Sequence, residues 1–169
     1  MRTPKATLVL NGVRLVDLAV SALAGGGCSP VFAVVRADVE VPGATLVVNP
    51  DPDRGMASSL ELAVDAAAQA GAAALLVTLV DMPGIDAASV LAVREAYLPE
   101  RIAMAAFGDR AGHPVAMSLE LWREALAMAG ADEGARALLA ARQELIDLVP
   151  VTGDPSDLDT PEQLSEWRE

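Results

Sequence analysis

Three segments of this 169-residue sequence combine residue types and positions that could carry chemistry. The first is Asp81-Met82-Pro83, directly behind the apolar run LLVTLV at 75–80. A carboxylate at the end of such a run can hold Mg2+ against phosphate oxygens, because hard cations take carboxylate and phosphate ligands together. Asp and Pro at that place also make an ordinary turn. The second segment is NPDPDRGMASSL at 49–60, a long loop containing Gly55 that feeds a helix. A helix N-terminus there would offer free N–H groups to an anion or a base edge. Ser58 and Glu61 fit the capping box S-x-x-E, with Leu60, Val64 and Ala67 on the buried face. Capping accounts for Ser58 but not for the length of the loop. The third segment is GDPSDLDTPEQL at 153–164, where Thr160, Pro161 and Gln163 spell a second helix start. Asp157 and Asp159 fall outside that box; they are solvated turn residues, or one is the second ligand of a cation held by Asp81.

Other residues carry weaker signals. His113 in GHPV is a lone histidine with no Ser or Cys partner pattern, which argues for packing or substrate contact before a catalytic triad. Asp132-Glu133-Gly134-Ala135-Arg136 reads as a helix start with Asp132 as N-cap, and Arg136 on its first turn is either exposed or a bidentate grip for phosphate. Cys28 is the single cysteine, which rules out an internal disulfide and a cysteine-based zinc site; it reads as a small buried hydrophobe.

These residues must be positioned by a fold, and its pattern is legible. Residues 31–35 (VFAVV), 44–48 (ATLVV) and 75–80 are apolar, largely β-branched runs that read as strands buried on both faces. Helical patterns at 15–24, 59–70 and 87–97 alternate with them. Strands are expected at 102–107 and 114–117 around the loop GDRAG, and a late one at 145–151. Further helices are expected at 119–128, 133–142 and 161–167, and Gly25-Gly26-Gly27 reads as a helix-ending turn. The alternation predicts one α/β domain, a Rossmann-like open, mostly parallel sheet with helices on both faces, whose ligands bind beyond the carboxyl ends of the strands. Aromatics make up only 3% of the chain, so the core must be built from Ala, Val and Leu. The formal charge of −12 repels a nucleic-acid backbone, so no nucleic acid is expected as partner. The longest apolar run, near 72–80, is far too short to span a membrane, and Asn11, Arg14 and Asp17 break any signal-peptide core; a cytoplasmic location is expected.

In order along the chain, Thr3-Pro4-Lys5-Ala6 with residues 8–15, the loop NPDPDRGMASSL, the strand end LVDMP, the loop GDRAGHPV, the helix start DEGAR and the closing DLDTPEQL resemble the molybdenum cofactor cytidylyltransferase family. That family lies within a wider group that includes molybdenum cofactor guanylyltransferases and sugar-phosphate nucleotidyltransferases. The resemblance implies transfer of a nucleoside monophosphate, CMP from CTP first of all, to a phosphorylated acceptor such as molybdopterin, with release of pyrophosphate. It implies Mg2+ on Asp81 and Asp159, phosphate charge neutralised by Lys5, nucleotide beside Gly55, Ser58 and Ser59, and acceptor nearer His113, Asp132 and Arg136. It admits a molybdoenzyme or a chaperone as protein partner. The alternatives are a shortened, non-catalytic relative that binds a pterin or a protein, and an enzyme of the same group acting on a sugar phosphate.

Two departures from the family pattern stand out. Val80 occupies a place where the family carries Gly. Family members also open with a strand and a loop L-A-A-G-x-S-x-R-M-G-x-P-K, and this chain matches from the Met of that loop, with Arg2 where the second glycine stands. The resemblance therefore implies an N-terminally truncated domain without its first strand and most of the glycine-rich loop, and poor CTP binding by the chain as written.

Overall fold

The computed structural model describes residues 5–130 and 133–158. After a single helical turn at Lys5–Thr7, the elements are β1 (Val9–Leu10), β2 (Val13–Arg14), α1 (Leu15–Gly25), β3 (Phe32–Val35), β4 (Thr45–Val48), α2 (Met56–Gln69), β5 (Ala74–Val77), α3 (Ala87–Ala96), β6 (Ile102–Phe107), β7 (Arg110–Ser118), α4 (Leu119–Met128), α5 (Arg136–Ala141) and β8 (Ile146–Pro150). β1 and β2 form a small antiparallel hairpin, β3 and β4 a parallel pair, and β5-β7-β6-β8 a four-stranded sheet.

The expected α/β architecture is present, and the described sheet is more mixed than expected. β6 and β8 are parallel, but β7 runs antiparallel to both β5 and β6. The cause is the link between β6 and β7. Phe107 pairs with Arg110, so Gly108-Asp109 is a two-residue turn, and only antiparallel strands can be joined that closely. Residues 110–112, expected in a loop, are the start of β7.

β6 (IAMAAF) is buried along its whole length and divides the core. Its Ile102 and Met104 pack with Leu60 and Val64 of α2 and with Trp122 of α4; its Ala103 and Ala105 pack with Val90 and Val93 of α3. This is the period-two alternation of a strand with helices on both faces. Small residues let α1 and α3 approach: a Cβ on Gly26 would sit 2.4 Å from Val90 Cγ1. Trp122, almost fully buried, meets its need for an acceptor by donating its indole N–H to the Leu75 carbonyl at 2.9 Å.

Three boundaries differ from expectation for local reasons. β5 stops at Val77 rather than at residue 80. Val77 pairs with Val115 in the last rung of the β5–β7 ladder, and beyond it the His113 side chain turns to the Val77 carbonyl, with Nδ1 at 3.1 Å. α2 starts at Met56 rather than 59, so Ser58 is not its N-cap. Gly55 holds that place, at φ 93°, ψ −179°, a conformation essentially reserved for glycine. α5 starts at Arg136 with Ala135 as N-cap, after Gly134 at φ 52°. The expected helix at 161–167 and the cap at Thr160 lie outside the described residues.

Candidate functional site

The site gathers past the carboxyl ends of β4 and β5. From β5 the chain runs through Thr78, Leu79 and Val80 to Asp81, whose Oδ2 accepts from Lys5 Nζ at 2.7 Å. The Asp81 backbone carbonyl accepts the Leu158 N–H at 2.8 Å, and Leu158 is itself buried. These two bonds tie the start of the chain and its late loop to one acid. The other oxygen, Asp81 Oδ1, is buried and has no hydrogen-bond partner among the described residues; the same holds for Thr78 Oγ1. A buried carboxylate oxygen left unpaired is costly, so an oxygen of this kind points to a ligand that completes it. A hard divalent cation suits the donor. Among the described residues no three His, Cys, Asp or Glu side chains cluster to hold a metal, so Asp81 is the carboxylate described there. Asp159, one residue beyond Leu158, lies outside the described residues.

The loop after β4 is pinned by a residue that sequence reasoning passed over. Asn49 is 5% exposed, and its Nδ2 donates to both Ser58 Oγ and Ser59 Oγ at 3.0 Å. Its Oδ1 accepts the Asp51 N–H, and its own N–H donates to the Val35 carbonyl. Ser58 Oγ donates onward to the Gly55 carbonyl at 2.8 Å. Ser58 therefore locks the loop from inside, while Ser59 borders the cavity described below. The signal was available: an Asn directly after a strand favours an Asx turn to the residue two positions on. Asn49→Ala is expected to cost roughly 1–3 kcal/mol, because it strips buried hydroxyls and an N–H of partners. A urea midpoint measurement checks it.

A cavity of about 620 Å3 lies beside β3 and β5 and is bordered by Ser59, His113 and Arg136, with Met56, Thr78 and Gly134 among its other walls. Volumes of that order accept small ligands. Of the expected site residues, Lys5 and Asp81 form an ion pair, Ser59, His113 and Arg136 share the cavity, and Gly55 and Ser58 support its rim. Asp132 lies outside the described residues. Asp157 is exposed. Cys28 is half-buried and burial pushes its thiol pKa up, with Arg94 opposing in part, which agrees with a packing role.

His113 Nδ1 lies 3.1 Å from the Val77 carbonyl. A carbonyl only accepts, so the ring carries its proton on Nδ1 and leaves Nε2 as an acceptor. Burial holds the pKa below the ordinary 6.5, outweighing the Val77 bond and the Asp81 charge, both of which raise it. A folded-state pKa below the unfolded one means the unfolded chain takes up the extra proton more readily. Stability from this group is therefore complete above about pH 6.5 and declines as pH falls below it. His113→Gln is expected to flatten the fall in urea midpoint between about pH 7 and about pH 5, relative to the parent chain.

Comparison with known proteins places this geometry in context. Residues 1–146 match the MobA-like NTP transferase domain. The chain is 34% identical to nicotine blue oxidoreductase from Paenarthrobacter nicotinovorans, over 96% of this chain and 87% of that protein. Among solved structures, Rv0371c from Mycobacterium tuberculosis H37Rv in complex with manganese superposes with a TM-score of 0.80 at 21% identity, over 99% of this chain and 92% of that one. The 2-C-methyl-D-erythritol 4-phosphate cytidylyltransferase from Thermus thermophilus gives 0.65 at 20% identity, over 98% and 92%. Among the described residues no helix is long and apolar enough to cross a membrane.

Proposed function

The chain belongs to the MobA-like NTP transferase domain family, and from that premise we propose that it transfers a nucleoside monophosphate, CMP from CTP first of all, to a small phosphorylated acceptor of the molybdopterin type. The observation that carries this reading is the Lys5–Asp81 pair past β5, with one Asp81 oxygen already engaged by an ammonium and the other buried and unmatched. A cation and a carboxylate in contact serve charge neutralisation at phosphate, which is what phosphoryl-type transfer asks of a protein.

In the reaction an acceptor phosphate oxygen bonds to the α-phosphorus of the NTP, the bond from that phosphorus to its bridging oxygen breaks, and pyrophosphate leaves with the electron pair. Lys5 neutralises charge on the phosphates, and Asp81, with Asp159 as its partner carboxylate, would hold a divalent ion. Bound there, that ion would neutralise developing charge on the triphosphate. Ser59 and the Gly55 turn orient the nucleotide, and Asn49 keeps that loop in place. His113, neutral and offering Nε2 as acceptor, takes a donor group of the acceptor molecule, while Asp132 and Arg136 fix its orientation. The manganese complex of a protein with the same fold supports the use of a divalent ion, and the cytidylyltransferase neighbour supports CTP.

A second reading rests on the 34% identical relative, whose name is that of an oxidoreductase. The two are separated by one experiment. The chain is incubated with CTP, GTP or UTP, Mg2+ or Mn2+ and a phosphorylated pterin or sugar, with pyrophosphate measured, while a parallel sample follows oxidation of a reduced nicotinamide nucleotide by an acceptor dye. Pyrophosphate release that needs both acceptor and divalent ion supports transfer. Dye reduction without pyrophosphate release overturns it in favour of the redox reading.

A further inference from the structure

The loop that carries Asp81 is held by a second segment of the chain. Residues 79–85 make two successive tight turns: the Met82 N–H donates to the Leu79 carbonyl at 3.4 Å, and the Ile85 N–H to the Met82 carbonyl at 3.2 Å. Ile85 is buried with Val90 and Val93 of α3, and Asp86 caps that helix by accepting the Ser89 N–H at 2.8 Å. After β8 the chain returns to this loop. Val151 donates its N–H to the Ala106 carbonyl at 3.0 Å, and residues 152–158 then meet residues 81–89 at three points. The Thr152 carbonyl accepts from Ser89 Oγ at 2.8 Å. Gly153 lies against the Gly84 carbonyl. The Leu158 N–H donates to the Asp81 carbonyl at 2.8 Å. As one segment advances the other recedes, so 152–158 is a strap laid antiparallel along the Asp81 loop.

Each of the three points fixes position. Ser89 is 1% exposed, and its single hydroxyl proton lies between two acceptors, Asp86 Oδ1 and the Thr152 carbonyl, each at 2.8 Å. A buried hydroxyl with these partners ties the strap to the first turn of α3. Gly153 stands at φ 116°, in the region that favours glycine. A Cβ there would meet the Gly84 carbonyl oxygen at 2.6 Å, with Phe107 Cε1 3.6 Å away, so only a residue without a side chain lets the strap lie this close. Leu158 is buried with Leu10 and Leu15, which anchors the later end. With both ends anchored, a displacement at Gly153 is passed to Gly84 and from there to Asp81, three residues earlier. Asp81 has one carboxylate oxygen on Lys5 and the other buried and unmatched, so the place of that second oxygen depends on how the strap lies.

We propose that Gly153 and Ser89 are positioning residues for the Asp81 site: acting through the strap, they hold the Asp81 carboxylate where its unmatched oxygen can take a divalent cation. The inference rests on the cation-holding role proposed for Asp81 and adds that two residues touching neither ion nor substrate set the affinity there. Groups that fix a metal ligand from behind commonly change metal affinity by roughly ten- to a hundredfold when removed.

The test titrates Mn2+ into the parent chain and into Gly153→Ala, Ser89→Ala, Gly71→Ala and Asp81→Asn, with free ion read by electron paramagnetic resonance and hydrogen exchange followed at the Leu158 amide. Gly71 is the control: it stands at φ 76° just after α2, and a Cβ there meets no heavy atom within 4 Å, so alanine brings backbone strain without a contact. Gly153→Ala and Ser89→Ala are each expected to raise the Kd for Mn2+ by at least about tenfold and to speed Leu158 exchange by a similar factor, and Gly71→Ala to do neither. Should Gly153→Ala fail to fold, Ser89→Ala decides, because it keeps the backbone N–H that Asp86 accepts and loses only the hydroxyl. Parent-level Mn2+ affinity in a folded Ser89→Ala, with binding lost in Asp81→Asn, overturns the proposal and leaves the role of Asp81 standing. Equal weakening in Gly71→Ala also overturns it, since loss of stability anywhere would then have the same effect. Mn2+ binding that survives Asp81→Asn overturns both this proposal and the cation-holding role on which it rests.

Discussion

Asp81→Asn is expected to reduce nucleotidyl transfer by roughly two to three powers of ten, the loss typical of removing one preorganised electrostatic contact from such a site. The substitution keeps the shape of the side chain and an oxygen that can still accept from Lys5 Nζ, which lies 2.7 Å from Oδ2. What it removes is the negative charge and one of the two equivalent oxygens. Oδ1 is the buried, unmatched one, so the amide that replaces the carboxylate brings either a neutral oxygen or an N–H to the place where a cation is proposed. Stability should change little. The pair is partly exposed, at 33% for Lys5 and 18% for Asp81, and ion pairs open to solvent contribute about 0–1 kcal/mol. For a chain of this size that amounts to a shift of roughly 2–4 °C at most. A large loss of rate with an unmoved melting curve is the signature of a group that works on the substrate. Parent-level turnover in Asp81→Asn would remove this acid from the mechanism.

Lys5→Met is the second large effect. The chain carries a formal charge of −12, and a triphosphate brings several more negative charges to it. The Lys5 ammonium sits against Asp81, on the first turn of the described chain, where it can pass from the carboxylate to a phosphate oxygen without leaving the site. Methionine keeps most of the aliphatic stem and loses the charge, so the expected result is a loss of about a hundredfold in kcat/KM. Lys5→Arg should recover part of it, since charge is retained but the compact ammonium is not. The double variant Lys5→Met with Asp81→Asn should lose little more than the worse single one, because groups that act as a unit are not additive. Fully additive losses would show that the two residues work on different steps.

Much of the scaffold was legible because its signals are local. The ends of β6 and α4 fall where apolar patterning puts them, at Ile102–Phe107 and Leu119–Met128. The Asp81 position followed from an apolar run ending in an acid, although the strand itself stops at Val77. What the pattern misjudged depended on contacts between distant residues. Ser58 and Glu61 satisfy the spacing of a capping box, yet the Ser58 hydroxyl is taken by Asn49 and the Gly55 carbonyl, and the helix begins two residues before it. No local pattern shows that the β5–β7 ladder ends at Val77, whose carbonyl lies beside the ring of His113, far along the chain. The ion pair of Lys5 with Asp81 spans 76 positions, so its partners were nameable one at a time and their contact was not. The cleft between β3 and β5 is a property of the sheet as a whole.

The central claim is that the α-phosphorus of a nucleoside triphosphate moves to an acceptor, and label position tests it most directly. CTP labelled at the α-phosphorus and CTP labelled at the γ-phosphorus are incubated in separate reactions with a divalent ion, a phosphorylated acceptor and the protein, with and without an N-terminal extension that supplies an apolar strand and a glycine-rich turn. The expected result is α-label in the acceptor and γ-label in pyrophosphate, both dependent on Asp81. Appearance of the γ-label in the acceptor, or of neither label in any product from either form of the protein, would contradict it.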